Sequence, residues 1–327
     1  MFMKRILLVK ISSMGDIIHN MPLIHDLKTQ YPEAQIDWVV EEAFADLARL
    51  NPLVNRVIPV ALRRWKKALF SKSTWTEFFA FKHNLQQAHY DAILDTQGLI
   101  KSALLCRLAN GVSFGRDAKS ARERLAGFLY QHTLSVSHQL HAVIRNRRCG
   151  SLALHYVIDE ADPHYNINVA DIDLAIKPSF IVTENFIIAF HSTARDAKHW
   201  PTEYWIKLGH YLNQLGYCIA LPWGNEAEKK RAELIAQQLN NALILPKLTI
   251  VQLAKLISLA KAAVGLDTGL THIAVVLNIP TLAIFTDTHI WQAGTHPSVA
   301  GRAITIGGKP AKPSVDEAIQ AFNSLNI

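Results

Sequence analysis

The stretch that most constrains this chain lies near its start. Arg5-Ile6-Leu7-Leu8-Val9-Lys10-Ile11 is an almost unbroken apolar run rich in branched side chains, and Ser12-Ser13-Met14-Gly15-Asp16 follows it at once. A strand apolar at successive positions is buried on both faces, as in a parallel sheet covered by helices. The Ser-Ser-Met-Gly turn after it opens a helix. Asp16 therefore stands beyond the carboxyl end of a strand, where open α/β sheets bind ligands. It also lies in the first helical turn, where the helix dipole favours the ionised carboxylate. Such a residue is either a helix cap or a base held ready for a proton, and these residues alone do not choose.

The same rhythm runs along the chain. Apolar strand patterns recur at 35–40, 56–60 and 90–95, then at 186–190, 217–221, 242–245, 262–265 and 281–285, with helical patterns between them. This is the signature of βαβ units and an α/β fold, with 281–285 expected to close the second sheet. Pro22 is expected to kink the first helix. A length of 327 residues exceeds one ordinary core. The rhythm lapses between Asp159 and Pro178, so two domains are expected, 1–172 and 173–312. A last helix within 313–327, opened by the capping box Ser314 to Glu317, is expected to pack back on the first domain.

Lys and Arg outnumber Asp and Glu by 34 to 27, a net charge of +7, which favours an anionic partner: nucleic acid, a phosphorylated small molecule or an anionic membrane. Cys106, Cys149 and Cys218 lie far apart with no paired spacing, which fits a reducing, cytoplasmic compartment and argues against a disulfide framework or a zinc knuckle. No apolar stretch reaches the roughly 18 residues of a membrane span. Asp171-Ile172-Asp173 matches a metal-holding Asp-x-Asp tripeptide but sits in the linker, and no metal site is expected. Gly-x-Gly-x-x-Gly, Walker and Gly-x-Ser-x-Gly motifs are missing, which removes support from dinucleotide oxidoreductases, P-loop ATPases and serine hydrolases.

Several groups carry possible chemistry. Arg63-Arg64-Trp65-Lys66-Lys67 follows a strand and is either a solvated charge run or an anion site. Trp75, Phe78, Phe79 and Phe81 behind it read mostly as core, with a membrane interface as the alternative. Arg116, Lys119, Arg122 and Arg124, with Arg145, Arg147 and Arg148, form one electropositive pocket if their loops converge. Asp267-Thr268-Gly269-Leu270-Thr271-His272 opens a helix after a strand, where free N–H groups suit a phosphate. Thr268 and Thr271 add hydroxyls, Gly269 permits close approach, and Asp267 is expected to accept hydrogen bonds from backbone or sugar groups. Lys198, in the loop after 186–190, either neutralises a departing diphosphate or is a surface lysine. The acids after Trp223-Gly224-Asn225 either bind ribose hydroxyls or sit at a plain helix N-terminus.

Seven ordered segments carry a resemblance. They are Lys10 to Asp16, Trp38-Val39-Val40-Glu41-Glu42, Val57 to Val60 with Arg63-Arg64-Trp65, Asp95-Thr96-Gln97-Gly98-Leu99-Ile100-Lys101-Ser102, Arg195 to Pro201, Leu221-Pro222-Trp223-Gly224 and Asp267 to His272. Together they resemble the bacterial lipopolysaccharide heptosyltransferases, the inverting glycosyltransferase family 9. The resemblance implies a GT-B fold, two Rossmann-like domains facing each other across a cleft. It implies transfer of L-glycero-D-manno-heptose from ADP-heptose to the inner Kdo of Kdo2-lipid A, without metal or cofactor. It also implies peripheral attachment to the cytoplasmic face of the inner membrane, with no nucleic-acid partner. By similarity Asp16 is the general base and, with Lys198, the catalytic pair. Ser12, Ser13, Thr193, Lys198, Glu228, Leu248, Asp267, Thr268, Gly269 and His272 form the donor site, and Arg63, Arg64, Lys67, Arg122 and Arg145 hold the acceptor. Ala194 stands where a second threonine is usual and Leu248 where methionine is usual. Thr286-Asp287-Thr288-His289-Ile290-Trp291 departs from a Gly-Pro-Thr turn. The alternatives are a family member acting on an already heptosylated core, and a basic nucleic-acid or membrane-binding module. The second leaves Asp16 and the Asp267 turn without a task.

Overall fold

The computed structural model describes residues 3–161, 163–174, 185–193, 195–294, 302–325 and 327. Lys177-Pro178 and Ala194 lie outside the described residues. The chain divides into two units, Met1–Asn168 and Val169–Ile327. The division falls where hydrogen bonding changes sides. The Asn168 N–H donates to the Leu50 carbonyl, while the Ala170 carbonyl accepts from Lys255 Nζ.

In the first unit β1 (Arg5–Val9) leads to α1 (Met14–Ile18) and α2 (Met21–Gln30), followed by β2 (Gln35–Glu41), α3 (Ala45–Arg49), β3 (Arg56–Val60), α4 (Leu62–Trp65) and α5 (Lys72–Gln86). Then come β4 (His89–Asp95), α6 (Ile100–Leu108), β5 (Asn110–Arg116), β6 (His132–Leu134) and α7 (Ala142–Leu154). All strand pairs are parallel, in the order β3-β2-β1-β4-β5-β6. Ile6, Leu7, Leu8 and Val9 are wholly buried, as the continuous apolar run requires. Pro22 does more than kink a helix: the chain breaks at His19–Asn20 and Pro22 sits in the first turn of α2, where its missing N–H is harmless.

The second unit repeats the plan. Its elements are β7 (Phe186–Phe190), α8 (Thr202–Gln214), β8 (Cys218–Leu221), α9 (Glu226–Ala236), β9 (Ala242–Ile244), α10 (Ile250–Ile257), β10 (Ala262–Leu266), α11 (Gly269–Val276), β11 (Thr281–Phe285), α12 (Ile290–Ala293), β12 (Ala303–Gly307) and α13 (Val315–Asn323). The order β12-β11-β10-β7-β8-β9 repeats that of the first sheet. Two expectations are corrected here. The strand at 281–285 does not close the sheet, because β12 pairs along its outer side. The terminal helix, expected to pack on the first domain, packs on α8, β11 and β12 of its own unit, burying Ala318 and Phe322, with Leu325 just beyond, in the second core. Its capping box forms as expected: Ser314 N–H donates to Glu317 Oε2 at 2.7 Å, and Glu317 N–H to Ser314 Oγ at 3.2 Å.

In this strand order the two central neighbours send their chains to opposite sides, opening a crevice beyond their carboxyl ends. Those neighbours are β1 and β4 in one unit and β7 and β10 in the other. Register sets what meets there. Val9 lies beside Asp95, and Gly265 beside Phe190. Lys10–Asp16 thus adjoins Asp95–Gly98, and Thr193 and Lys198 adjoin the turn at Asp267.

Candidate active site

At the first crevice the turn before α1 is held from β4. Gln97 Oε1 accepts from the N–H groups of Ile11 and Ser12 at 3.1 and 3.2 Å. Asp16 is third in α1, and its Oδ2 accepts from the Ser13 N–H at 2.9 Å and from Ser13 Oγ at 3.3 Å. The capping role is therefore real, and it occupies one oxygen. Oδ1 faces Lys10 Nζ at 3.8 Å. Lys10 is buried and donates to the Thr96 carbonyl at 3.0 Å. Burial pushes the Asp16 carboxyl up, but Lys10, the Ser13 N–H and Arg122 together outweigh it and hold the group below its ordinary value. Burial draws the Lys10 ammonium down, with Arg116 and Arg145 adding to the effect and Asp16 opposing it.

Arg116, at the end of β5, is buried and donates to the Gln97 carbonyl at 3.1 Å, while its Nε has no partner among the described residues. Gly98 makes room for it. Its φ of 69° is left-handed, and a Cβ there would lie 2.8 Å from Arg116 Nη2. Arg145, on α7, donates to the Leu140 carbonyl at 3.2 Å, and burial and Arg116 lower its pKa. The Asp16 carboxylate thus stands among Lys10, Arg116, Arg122 and Arg145, with the buried Asp95 also near enough to act on Lys10.

At the second crevice Asp267 collects donors: Lys198 Nζ and Thr288 Oγ1 both reach Oδ2, and His272 Nε2 lies 3.9 Å from Oδ1. Burial raises the Asp267 carboxyl, but His272, Lys198 and Thr288 hold it far below the usual carboxylate range. Thr193 Oγ1 donates to the Asp267 carbonyl at 3.2 Å, tying the β7 loop to the turn. Thr268 is the N-cap of α11 and Gly269 its first residue, with no side-chain cap on that end. The Thr271 hydroxyl, expected as a ligand donor, instead bonds the Leu266 carbonyl at 2.6 Å. Glu228 accepts from the Gly224 N–H at 2.7 Å and Asn225 Nδ2 at 2.8 Å, so it serves the N-terminus of α9. Leu248 is half-buried in the loop before α10.

The five acceptor candidates divide. Arg122 and Arg145 join the Asp16 cluster. Arg63, Arg64 and Lys67 sit on and after α4, beyond β3, two strands from β1. Arg63 lies 5.3 Å from the Phe44 ring centre, and Lys67 is exposed. Arg64 is already engaged, its guanidinium bridging Glu42 at 3.0 Å and Glu77 at 2.8 Å. That pairing argues against a free anion-binding role. Arg116, expected in a basic pocket with Arg122 and Arg145, is indeed beside Lys10 and Arg145, whereas sequence reasoning gave Lys10 and Thr288 no role of their own. A cation inside an otherwise apolar strand end was the available signal for Lys10.

Two doubly wound α/β units with the same strand order are the architecture of the GT-B glycosyltransferases. The E. coli heptosyltransferase WaaC with ADP matches with a TM-score of 0.87 and 35% identity, covering 98% of this chain and 99% of that one. The same enzyme with ADP-2-deoxy-2-fluoro heptose gives 0.84, again at 35% identity and covering 98% and 99%. E. coli ADP-heptose lps heptosyltransferase II shares the fold, at 0.78 and 20% identity, covering 98% of each chain. Lipopolysaccharide heptosyltransferase 1 of Pseudomonas aeruginosa is 40% identical over 296 residues, 89% of this chain and 81% of that protein. The profile of glycosyltransferase family 9 (heptosyltransferase) matches residues 78–318, and the chain belongs to that family.

Proposed function

We propose that this enzyme transfers L-glycero-D-manno-heptose from ADP-heptose to the inner Kdo of Kdo2-lipid A, with inversion, in assembly of the lipopolysaccharide core. The observation that carries the chemistry is the division of labour within Asp16: Oδ2 caps α1 while Oδ1 faces the cation cluster. The 40% identity to a heptosyltransferase 1 supports this acceptor over an already heptosylated core.

Asp16 takes the proton of the Kdo hydroxyl as that oxygen bonds to the anomeric carbon. The bond from that carbon to the diphosphate oxygen breaks on the opposite face, and ADP leaves with its electrons. Positioned general bases contribute about 10²–10⁴-fold. Lys198 and the free N–H groups at the Thr268–Gly269 turn balance the charge gathering on the diphosphate, a kind of contribution worth about 10²–10³-fold where it has been removed elsewhere. The mechanism invokes no metal or cofactor. Arg122 and Arg145, with Lys10 and Arg116, meet the anionic groups of the acceptor, and Arg63 and Lys67 meet its outlying charges. Because the acceptor is a lipid, the enzyme works at the cytoplasmic face of the inner membrane as a peripheral protein. No described helix is long and apolar enough to cross a membrane.

The test is the mass of Kdo2-lipid A after incubation with the enzyme and each of several nucleotide sugars. A heptose-sized gain with ADP-heptose alone is expected. No gain rejects the proposal, and a gain only on acceptor that already carries heptose selects the other family reaction.

A further inference from the structure

The outer layer over one face of the first sheet carries an unusual surface. Phe81 and Leu85 of α5, Ala103, Leu105 and Cys106 of α6, and Ala126 of the 3-10 turn Arg124–Phe128 all enter one core cluster with Leu7, Val9 and Ile93. These three elements therefore line up on the same side, α5 against α6 and α6 against the turn. Their outward faces are not polar. Phe70, just before α5, is wholly exposed, Phe128 is 70% exposed and Phe79 58%, with Trp75, Leu104 and Leu125 beside them. Of the five Phe and Trp side chains standing exposed among the described residues, only Trp291 lies elsewhere. Trp75 and Phe79 were expected mostly in the core. Only Phe81 is fully there, with Phe78 partly buried.

These groups are held outward. Trp75 Nε1 donates to the Leu69 carbonyl at 2.9 Å and Thr74 Oγ1 to the Ala68 carbonyl at 2.8 Å, so the turn bearing Phe70 is fastened to the start of α5. Ring contacts run from buried Trp65 through Phe78 to Phe79, at 6.0 and 5.6 Å. Cations are interleaved with the apolar groups: Lys66, Lys72, Lys101, Arg107 and Arg124 are all exposed, and none is in an ion pair among the described residues. The acids within these segments, though at the surface, are already taken by partners. Glu77 takes Arg64 and Trp65 Nε1, and Glu123 Oε2 takes the Ile100 N–H.

Exposed aromatics mixed with unpaired Lys and Arg suit one environment in particular, the headgroup boundary of an anionic bilayer. We propose that the α5–α6 layer, with Phe70, Phe79 and Phe128 inserted and its lysines and arginines on lipid phosphates, is the surface by which this protein docks on an anionic membrane. The biological purpose rests on the lipid-linked acceptor proposed above. The physical interaction needs neither substrate.

The test is sedimentation of the full-length protein with vesicles of phosphatidylethanolamine and phosphatidylglycerol, against vesicles of phosphatidylcholine alone. The wild type should pellet with the anionic vesicles and be released by salt. Phe70→Ser/Phe79→Ser/Phe128→Ser should weaken binding by at least about tenfold, and each of Lys66→Gln, Lys72→Gln and Lys101→Gln by up to about fivefold. All six positions are exposed, so folding survives, and transfer to a deacylated, water-soluble acceptor should be unchanged while transfer to vesicle-embedded acceptor falls. Wild-type protein left in the supernatant, or serine variants that pellet equally well, would overturn the proposal. So would self-association through these residues without vesicle binding. Binding is read without donor or acceptor, so failure of the transfer reading leaves it standing, and failure of binding leaves transfer to the soluble acceptor standing.

Discussion

A carboxylate that both caps a helix and acts as a base must divide the tasks between its oxygens, and Asp16 has the geometry to do so. Asp16→Asn keeps an oxygen for the Ser13 N–H but removes the base. Retained ADP-heptose binding with turnover down about 10²–10⁴-fold is expected, measured by single-turnover transfer and by donor titration. Near-normal turnover would remove Asp16 from the mechanism. Lys10 sets the range over which the base works. The Asp16 pKa lies below its ordinary 3.8, so the base stays ionised through neutral and weakly acid pH. What that charge adds to stability is full above the ordinary value and is lost as pH falls through the lowered one. Lys10→Met removes the nearest cation while burial, which favours the protonated acid, remains. The acidic limb of the kcat/KM profile should then move to higher pH, and an unmoved limb would show that Lys10 does not tune this group.

At the level of elements, periodicity exposes what is apolar but not which way a charge points. Strands with continuous branched runs, β1, β4, β7 and β11, were legible because burial on both faces leaves no alternative pattern. β5 was not, since Asn110, Gly111 and Gly115 dilute its strand signal, and β6 is only three residues long. The same limit affected α7, where Arg145, Arg147 and Arg148 read as one basic group. Turning about 100° per residue, the helix sends them three ways: Arg145 to the Asp16 cluster, Arg148 out to Glu160, and Arg147 inward to Asp26 on α2. The inward pair is buried and bidentate, at 2.8 and 2.9 Å, and clamps α2 to α7. Arg147→Met leaves Asp26 uncompensated and should destabilise the first unit by about 3–5 kcal/mol. A drop in melting temperature of about 10 °C is expected in a thermal scan. Adding Asp26→Leu should restore much of that loss, and a double variant no better than the single would mean the clamp is not the source.

On the scale of the whole chain, two sheets of the same strand order carry two different end chemistries, a base among cations and a turn open to phosphate. The repeat was legible because each unit rebuilds its own core. The destination of α13 was not, because an amphipathic stripe states that a face is buried but not against what. The second core supplied the apolar surface, around Trp205 and Leu282. Separate cores also make a separable response to ligand. ADP should engage the β7–β10 crevice, so at about 100 times its Kd it should stabilise the second unit by about 2.7 kcal/mol. Amide hydrogen exchange with and without ADP should therefore gain protection in β7, β10 and α11, while β1 and β4 exchange as before. No gain at α11 would remove the Asp267 turn from donor binding. An equal gain in both sheets would show that the units open as one cooperative body, with the nucleotide holding both.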